Sequence, residues 1–171
     1  GRKHGPVAVL VNNAGITKDS TFRKMDVEQW HQVIDANLSS VFNMTRLVIN
    51  PMLKAGFGRI INISSVNGQK GQFGQSNYSA AKAGMHGFTK SLAQEVAHKG
   101  VTVNTISPGY IETSMIKAVA EDIRKEILKG IPVGRFGQPE EIGRAVAFLA
   151  SENSGFITGS NLAANGGQHM F

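Results

Sequence analysis

Val7-Ala8-Val9-Leu10-Val11-Asn12-Asn13-Ala14-Gly15 holds five apolar residues in a row, stopped by two amides and a small-residue turn. A strand with one wet face alternates apolar and polar residues, whereas an unbroken apolar run reads as a strand buried on both faces of a parallel sheet. Outward from this stretch the pattern recurs. Arg59-Ile60-Ile61-Asn62-Ile63-Ser64 reads as a second strand, and Val101-Thr102-Val103-Asn104-Thr105-Ile106 as a third, stopped by Pro108-Gly109. Ser160 to Ala164 reads as a short last strand before Asn165-Gly166-Gly167.

Between the strands the period changes to that of helices. Asp26 followed by Gln29 is a capping box. Behind it Trp30, Val33, Ile34, Leu38, Val41, Phe42, Val48, Ile49 and Met52 recur at helical spacing, until Gly56 and Gly58 break the run. A loop rich in Gly and Gln spans Ser65 to Gln75. Tyr78 to Ala97 reads as a helix with many small residues, Thr113 to Lys129 as a charged helix, and Pro139 as the first residue of another, reaching Leu149. Strands alternating with helices predict βαβ units, a parallel sheet covered on both faces, and an α/β doubly wound, Rossmann-like fold. Ligands of such sheets bind outside the carboxyl ends of the strands. Asn13-Ala14-Gly15, Ser64-Ser65 and Pro108-Gly109 all fall there.

Composition narrows the classes. The 171 residues are 41% hydrophobic and 18% charged, which is ordinary globular usage and suits one domain over 1–171. With no cysteine there is no disulfide, thiolate nucleophile or Cys-based zinc site, in keeping with a reducing, cytoplasmic setting. No apolar run approaches the ~20 residues of a membrane span. The basic start, Gly1-Arg2-Lys3-His4-Gly5-Pro6, precedes an apolar segment that stops at Asn12, and so does not read as an export signal. The net charge of +6 is scattered and not interleaved with aromatics, so no nucleic-acid partner is expected. The five histidines, His4, His31, His86, His98 and His169, lack paired metal spacing and read as surface residues with no metal.

Tyr78 and Lys82 are four apart and share a helix face. An ammonium beside a phenol lowers its pKa from ~10 and makes Tyr78 a proton donor; the same pair also suits a solvated helix edge. Ser65 ends a strand thirteen residues before Tyr78. Its hydroxyl suits a substrate carbonyl or, equally, a turn or helix cap. Asn37 lies on the inward stripe between Ile34 and Val41, either as a satisfied core amide or as a water-holding relay to Lys82. No Gly-x-Ser-x-Gly elbow supports a hydrolase.

Taken in order, Asn12-Asn13-Ala14-Gly15, Asn37, Ile63-Ser64-Ser65, Tyr78-Ser79-Ala80-Ala81-Lys82, Asn104 and Pro108-Gly109 resemble the ordered motifs of the short-chain dehydrogenase/reductase family along the whole chain. The resemblance implies Tyr78 as acid/base, Ser65 positioning the carbonyl, Lys82 on the nicotinamide ribose and Asn37 holding a relay water. It also implies Asn13, Ala14, Gly15, Tyr78, Lys82, Pro108, Gly109 and Ile111 against an NADPH cofactor, with NADH as the alternative. Phe22-Arg23-Lys24-Met25, the run Ser64 to Gln75 and Asn165-Gly166-Gly167-Gln168-His169-Met170 are similar to those of the family's acetoacetyl-CoA reductases of polyhydroxybutyrate synthesis. They imply an acyl-CoA substrate facing Asp19, Gln72, Phe73, Gln75 and Tyr110, and a homotetramer. A 3-oxoacyl-[acyl-carrier-protein] reductase and a non-catalytic interaction module are the alternatives. The family's glycine-rich Thr-Gly-x-x-x-Gly-x-Gly loop is not in the sequence. The expectation is therefore the C-terminal part of the fold, the family's strands 4 to 7, with one apolar edge exposed, and no NADPH binding or activity by these 171 residues alone.

Overall fold

A computed structural model describes residues 5–170; Gly1-Arg2-Lys3-His4 lies outside them. Its centre is a parallel sheet of four strands in the order β1-β2-β3-β4: β1 (Val9–Asn12), β2 (Gly58–Ile63), β3 (Val101–Pro108) and β4 (Asn161–Ala164). The register sets Leu10 beside Ile60, Ile60 beside Val103, and Ile106 beside Leu162. Alternation along β2 sends Ile60 to one face and Ile61 and Ile63 to the other. α2 (Ser40–Ala55) and α4 (Ser76–Val96) cover the first face, where Ile60, Val101 and Val103 meet Val48, Met52, Ala93 and Val96. α7 (Pro139–Ala150) covers the second, with Leu149 against Ile61, Ile63 and Ile106. All six residues of β2 are buried, the two-faced burial that the apolar run predicts. The chain is thus a parallel α/β fold of Rossmann-like type.

The first strand is the exposed apolar edge that the family resemblance implies, and differs only from the two-faced burial that its apolar run suggests. Among the described residues β1 pairs with β2 alone. Val7, Val9 and Val11 stay 44%, 39% and 38% exposed, so the run is not buried on both faces but lies at the sheet edge.

The long helix predicted from Asp26 is three pieces. Asp26 and Gln29 form the expected capping box at α1 (Val27–Ile34). A π-helical turn at Asp35–Ser39 follows, and then α2. The wider turn at Asn37 answers to its side chain, whose Nδ2 donates to the Val33 carbonyl at 2.8 Å and so competes with the backbone ladder. The predicted loop from Ser65 to Gln75 contains a short helix, α3 (Val66–Lys70), because the Ser65 hydroxyl caps it. The predicted helix from Thr113 to Lys129 is broken into α5 (Ser114–Lys117) and α6 (Glu121–Lys129). Ala120 is extended at ψ 145°, and Glu121 and Asp122 supply the acidic first turn that favours a new helix start there.

Candidate active site

Three loops meet where the strands end. β2 delivers Ser64 and Ser65, while α4 brings Tyr78 in its first turn and Lys82 one turn on. Lys82 is only 3% exposed. Its Nζ donates to the Ile63 carbonyl at 2.7 Å, and Ser64 Oγ donates back to the Lys82 carbonyl at 2.8 Å. These two bonds clamp the end of β2 to α4. The ammonium lies 5.5 Å from the centre of the Tyr78 ring. Ser65 Oγ accepts from the Asn67 backbone N–H at 3.1 Å, which leaves its own proton free to donate. The Tyr78–Lys82 pair is therefore no solvated helix edge, and Ser65 is both a cap and a neighbour of the phenol.

Electrostatics correct one sequence expectation. Burial raises the Tyr78 phenol above its ordinary pKa; a hydrogen bond from Ser65 offsets part of this, and nearby Asp19 adds to the rise. The ammonium does not overturn that balance. Lys82 is itself buried, which lowers its pKa to about 8, and its hydrogen bond goes to Ile63 and not to the phenol. Tyr78 is thus protonated at neutral pH, the form a proton donor needs.

Asn37 is fully buried, its Nδ2 donating to the carbonyls of Ile16 and Val33 at 2.9 and 2.8 Å. Its Oδ1 has no hydrogen-bond partner among the described residues. A methyl group on Gly15 would lie 2.4 Å from that oxygen and 3.4 Å from Lys82 Nζ, so only glycine lets the loop after β1 come this close. Asn13 and Ala14 are exposed on the same loop. Pro108 closes β3, and Gly109, Tyr110 and Ile111 line a cavity of about 270 Å³ with Asn165, Gly166 and Gly167. Bare backbone at Gly15, a buried ammonium and an unpartnered buried amide oxygen fit the ribose and amide end of a nicotinamide dinucleotide.

The residues expected to face the substrate divide between two places. Gln75 Nε2 donates to Asp19 Oδ2 at 2.9 Å, joining the loop after β1 to the start of α4 beside Tyr78. Gln72 and Phe73 form a lip over a cleft of about 340 Å³ that also includes Phe22 and Ser79, and Phe73 is 87% exposed. Tyr110 lies instead in the cavity beyond β3.

Asn77 escaped the sequence reading. It is fully buried, its Nδ2 donates to the carbonyls of Lys18 and Gln29, and its Oδ1 accepts from the Tyr78 backbone N–H at 2.7 Å. It pins the Tyr78 turn to two other segments. Its position beside Tyr78 was the available signal. His86 was missed too: it is half-buried and bonded, not on the surface.

A parallel α/β sheet with Ser, Tyr and Lys gathered at its carboxyl end defines the class, a Rossmann-like oxidoreductase. The family profile described as "Enoyl-(Acyl carrier protein) reductase" matches residues 1–169. The chain is 64% identical over 166 residues to an acetoacetyl-CoA reductase of Allochromatium vinosum, covering 97% of this chain and 68% of that protein. It is 63% identical over 166 residues to an acetoacetyl-CoA reductase of Cupriavidus necator, with the same coverage. It is also 52% identical over 166 residues to a 3-oxoacyl-[acyl-carrier-protein] reductase of Escherichia coli, again covering 97% and 68%. The chain belongs to the short-chain dehydrogenase/reductase family and is an oxidoreductase whose family implies a nicotinamide cofactor.

Proposed function

We propose that the protein reduces a 3-oxoacyl-CoA, acetoacetyl-CoA above all, to the 3-hydroxyacyl-CoA with NADPH. The observation that carries the reading is the convergence of a protonated Tyr78, a Ser65 hydroxyl that reaches the phenol and a buried Lys82 at the end of β2. Ser65 donates to the substrate carbonyl and holds it beside the phenol. Tyr78 gives its proton to the oxygen as the carbonyl is reduced. Lys82, with one N–H on Ile63, turns its remaining donors to the cofactor ribose and to the oxygen that Tyr78 leaves charged. Asn37 Oδ1 holds a water that passes a proton toward Lys82. The bound nicotinamide supplies the hydride, and Asn13, Ala14, Gly15, Pro108, Gly109 and Ile111 are proposed to hold it. The acyl-CoA is proposed to pass between Asp19, Gln75, Gln72 and Phe73 on one side and Tyr110 on the other.

The CoA thioester is favoured over the carrier-protein thioester because the relatives named for acetoacetyl-CoA stand at 64% and 63% identity, and the carrier-protein reductase at 52%. The test uses the complete reading frame, NADPH absorbance and two substrates, acetoacetyl-CoA and acetoacetyl-[acyl-carrier protein]. The expected kcat/KM is at least about tenfold higher for the CoA ester, a difference of about 1.4 kcal/mol in transition-state binding. The reverse order transfers the assignment to carrier-protein chemistry. Turnover of neither supports a non-catalytic module.

A further inference from the structure

Beneath the Tyr78–Lys82 turn lies a polar cluster that none of these roles uses. His86 sits one turn past Lys82 on α4. Its Nε2 is 2.8 Å from Ser64 Oγ and 3.4 Å from Ser107 Oγ. Ser64 immediately precedes Ser65, and Ser107 immediately precedes Pro108-Gly109. Ser107 Oγ donates to Asn161 Oδ1 at 2.7 Å, and Thr105 Oγ1 donates to the same oxygen at 2.9 Å. One imidazole nitrogen thus touches the ends of β2 and β3 while riding on the helix that carries Tyr78 and Lys82. These are three of the segments that build the site.

Proton counting fixes the tautomer. A serine hydroxyl has one proton. That of Ser64 goes to the Lys82 carbonyl and that of Ser107 to Asn161. The Ser64 oxygen, at 2.8 Å, therefore faces His86 as an acceptor, and Nε2 carries the hydrogen. Burial, with the Lys90 charge beside it, holds the imidazole pKa below its ordinary value, so the ring is neutral at neutral pH.

We propose that His86 is a positioning residue: as the Nε2–H tautomer it holds Ser64 and Ser107 against α4, and so sets the spacing of Ser65, Tyr78 and the Pro108-Gly109 loop. The proposal rests on the reductase reading above for its kinetic consequence, but not for its hydrogen bonds. Misplacing reacting groups by about 1 Å costs as much as ~10²-fold in rate. Loss of the imidazole donor is therefore expected to lower turnover without weakening substrate binding.

The test compares the complete reading frame with His86→Leu, which keeps bulk and loses the donor, and His86→Gln, which keeps a side-chain N–H. His86→Leu should lower kcat about tenfold or more, with KM for acetoacetyl-CoA within about twofold and a melting temperature lower by no more than about 4 °C, and His86→Gln should restore most of the loss. Wild-type kcat in His86→Leu, equal loss in both variants, or loss that tracks melting temperature would overturn the proposal. Nitrogen NMR of the wild-type imidazole is the second arm. An Nε2–H resonance is expected, and an Nδ1–H tautomer sinks the hydrogen-bond assignment whatever the turnover. A wild-type protein that reduces no 3-oxoacyl thioester defeats the functional reading instead, and the NMR result then judges the cluster separately.

Discussion

Lys82 is held in the charged form against its surroundings. Burial lowers its pKa from 10.5 to about 8. Between those values the unfolded lysine is protonated and the folded one is not, so unfolding takes up a proton and stability rises with pH from about 8 to 10.5. Below about pH 8 the cost of the buried charge is fully present. Lys82→Met removes that cost. It should stabilise the fold at pH 7 by about 1–3 kcal/mol while abolishing reduction, measurable by urea unfolding beside a turnover assay. A variant less stable than wild type would show that the Ile63 hydrogen bond outweighs the desolvation. The same value predicts that wild-type reduction declines as pH passes through about 8, where Lys82 gives up its charge. At this scale the sequence was informative about which residues gather. Tyr78 and Lys82 share a face because they are four apart on a helix, and Ser65 follows a buried strand. The direction of the Tyr78 shift was not legible, because it depends on burial and on Asp19, which comes near only through folding. Asn77 was hidden for the same reason: its partners, Lys18 and Gln29, lie far from it in the chain.

α3 is the element whose packing most directly controls the site. It follows Ser65 and lies against α4, and a methyl group on Gly68 would sit 2.8 Å from the Lys82 carbonyl carbon and 2.9 Å from its Cβ. Those are backbone and near-backbone atoms that cannot swing aside. Gly68→Ala must therefore push α3 away from α4 and separate Ser65 from Tyr78. Such overpacking typically costs about 1–3 kcal/mol. The expected result is a lower melting temperature together with a loss of kcat; wild-type values of both would mean that the two helices slide apart without consequence. The strands, α4 and α7 were legible from their period and their caps, since apolar runs and the Pro139 start act locally. α3 and the π-helical turn were not. The first depends on one hydroxyl cap in a Gly- and Gln-rich segment, and the second on a single amide that bonds the helix backbone. The break at Ala120 was invisible because alanine continues a helix as readily as it precedes one.

Across the whole molecule, two helices that cover one face of the sheet turn their far sides to solvent. On α2 these carry Phe42, Met44 and Leu47, and on α4 the small residues Ala80, Ala83 and Gly87. Apolar and small surfaces of this kind permit close helix–helix approach, and the homotetramer is proposed to form there. Light scattering on the complete reading frame should give four protomers at micromolar concentration, and Leu47→Glu a smaller species; a monomeric wild type would refute the assembly. The ends of the strands are proposed to assemble a proton donor for carbonyl reduction, and that donor is Tyr78. That role is tested most directly by the steady-state rate of acetoacetyl-CoA reduction by Tyr78→Phe, measured beside wild type with circular dichroism of both. An unchanged spectrum and a kcat lower by at least about 10²-fold are expected, because phenylalanine fills the same space and has no proton to give. A Tyr78→Phe protein that turns over at the wild-type rate would contradict that role.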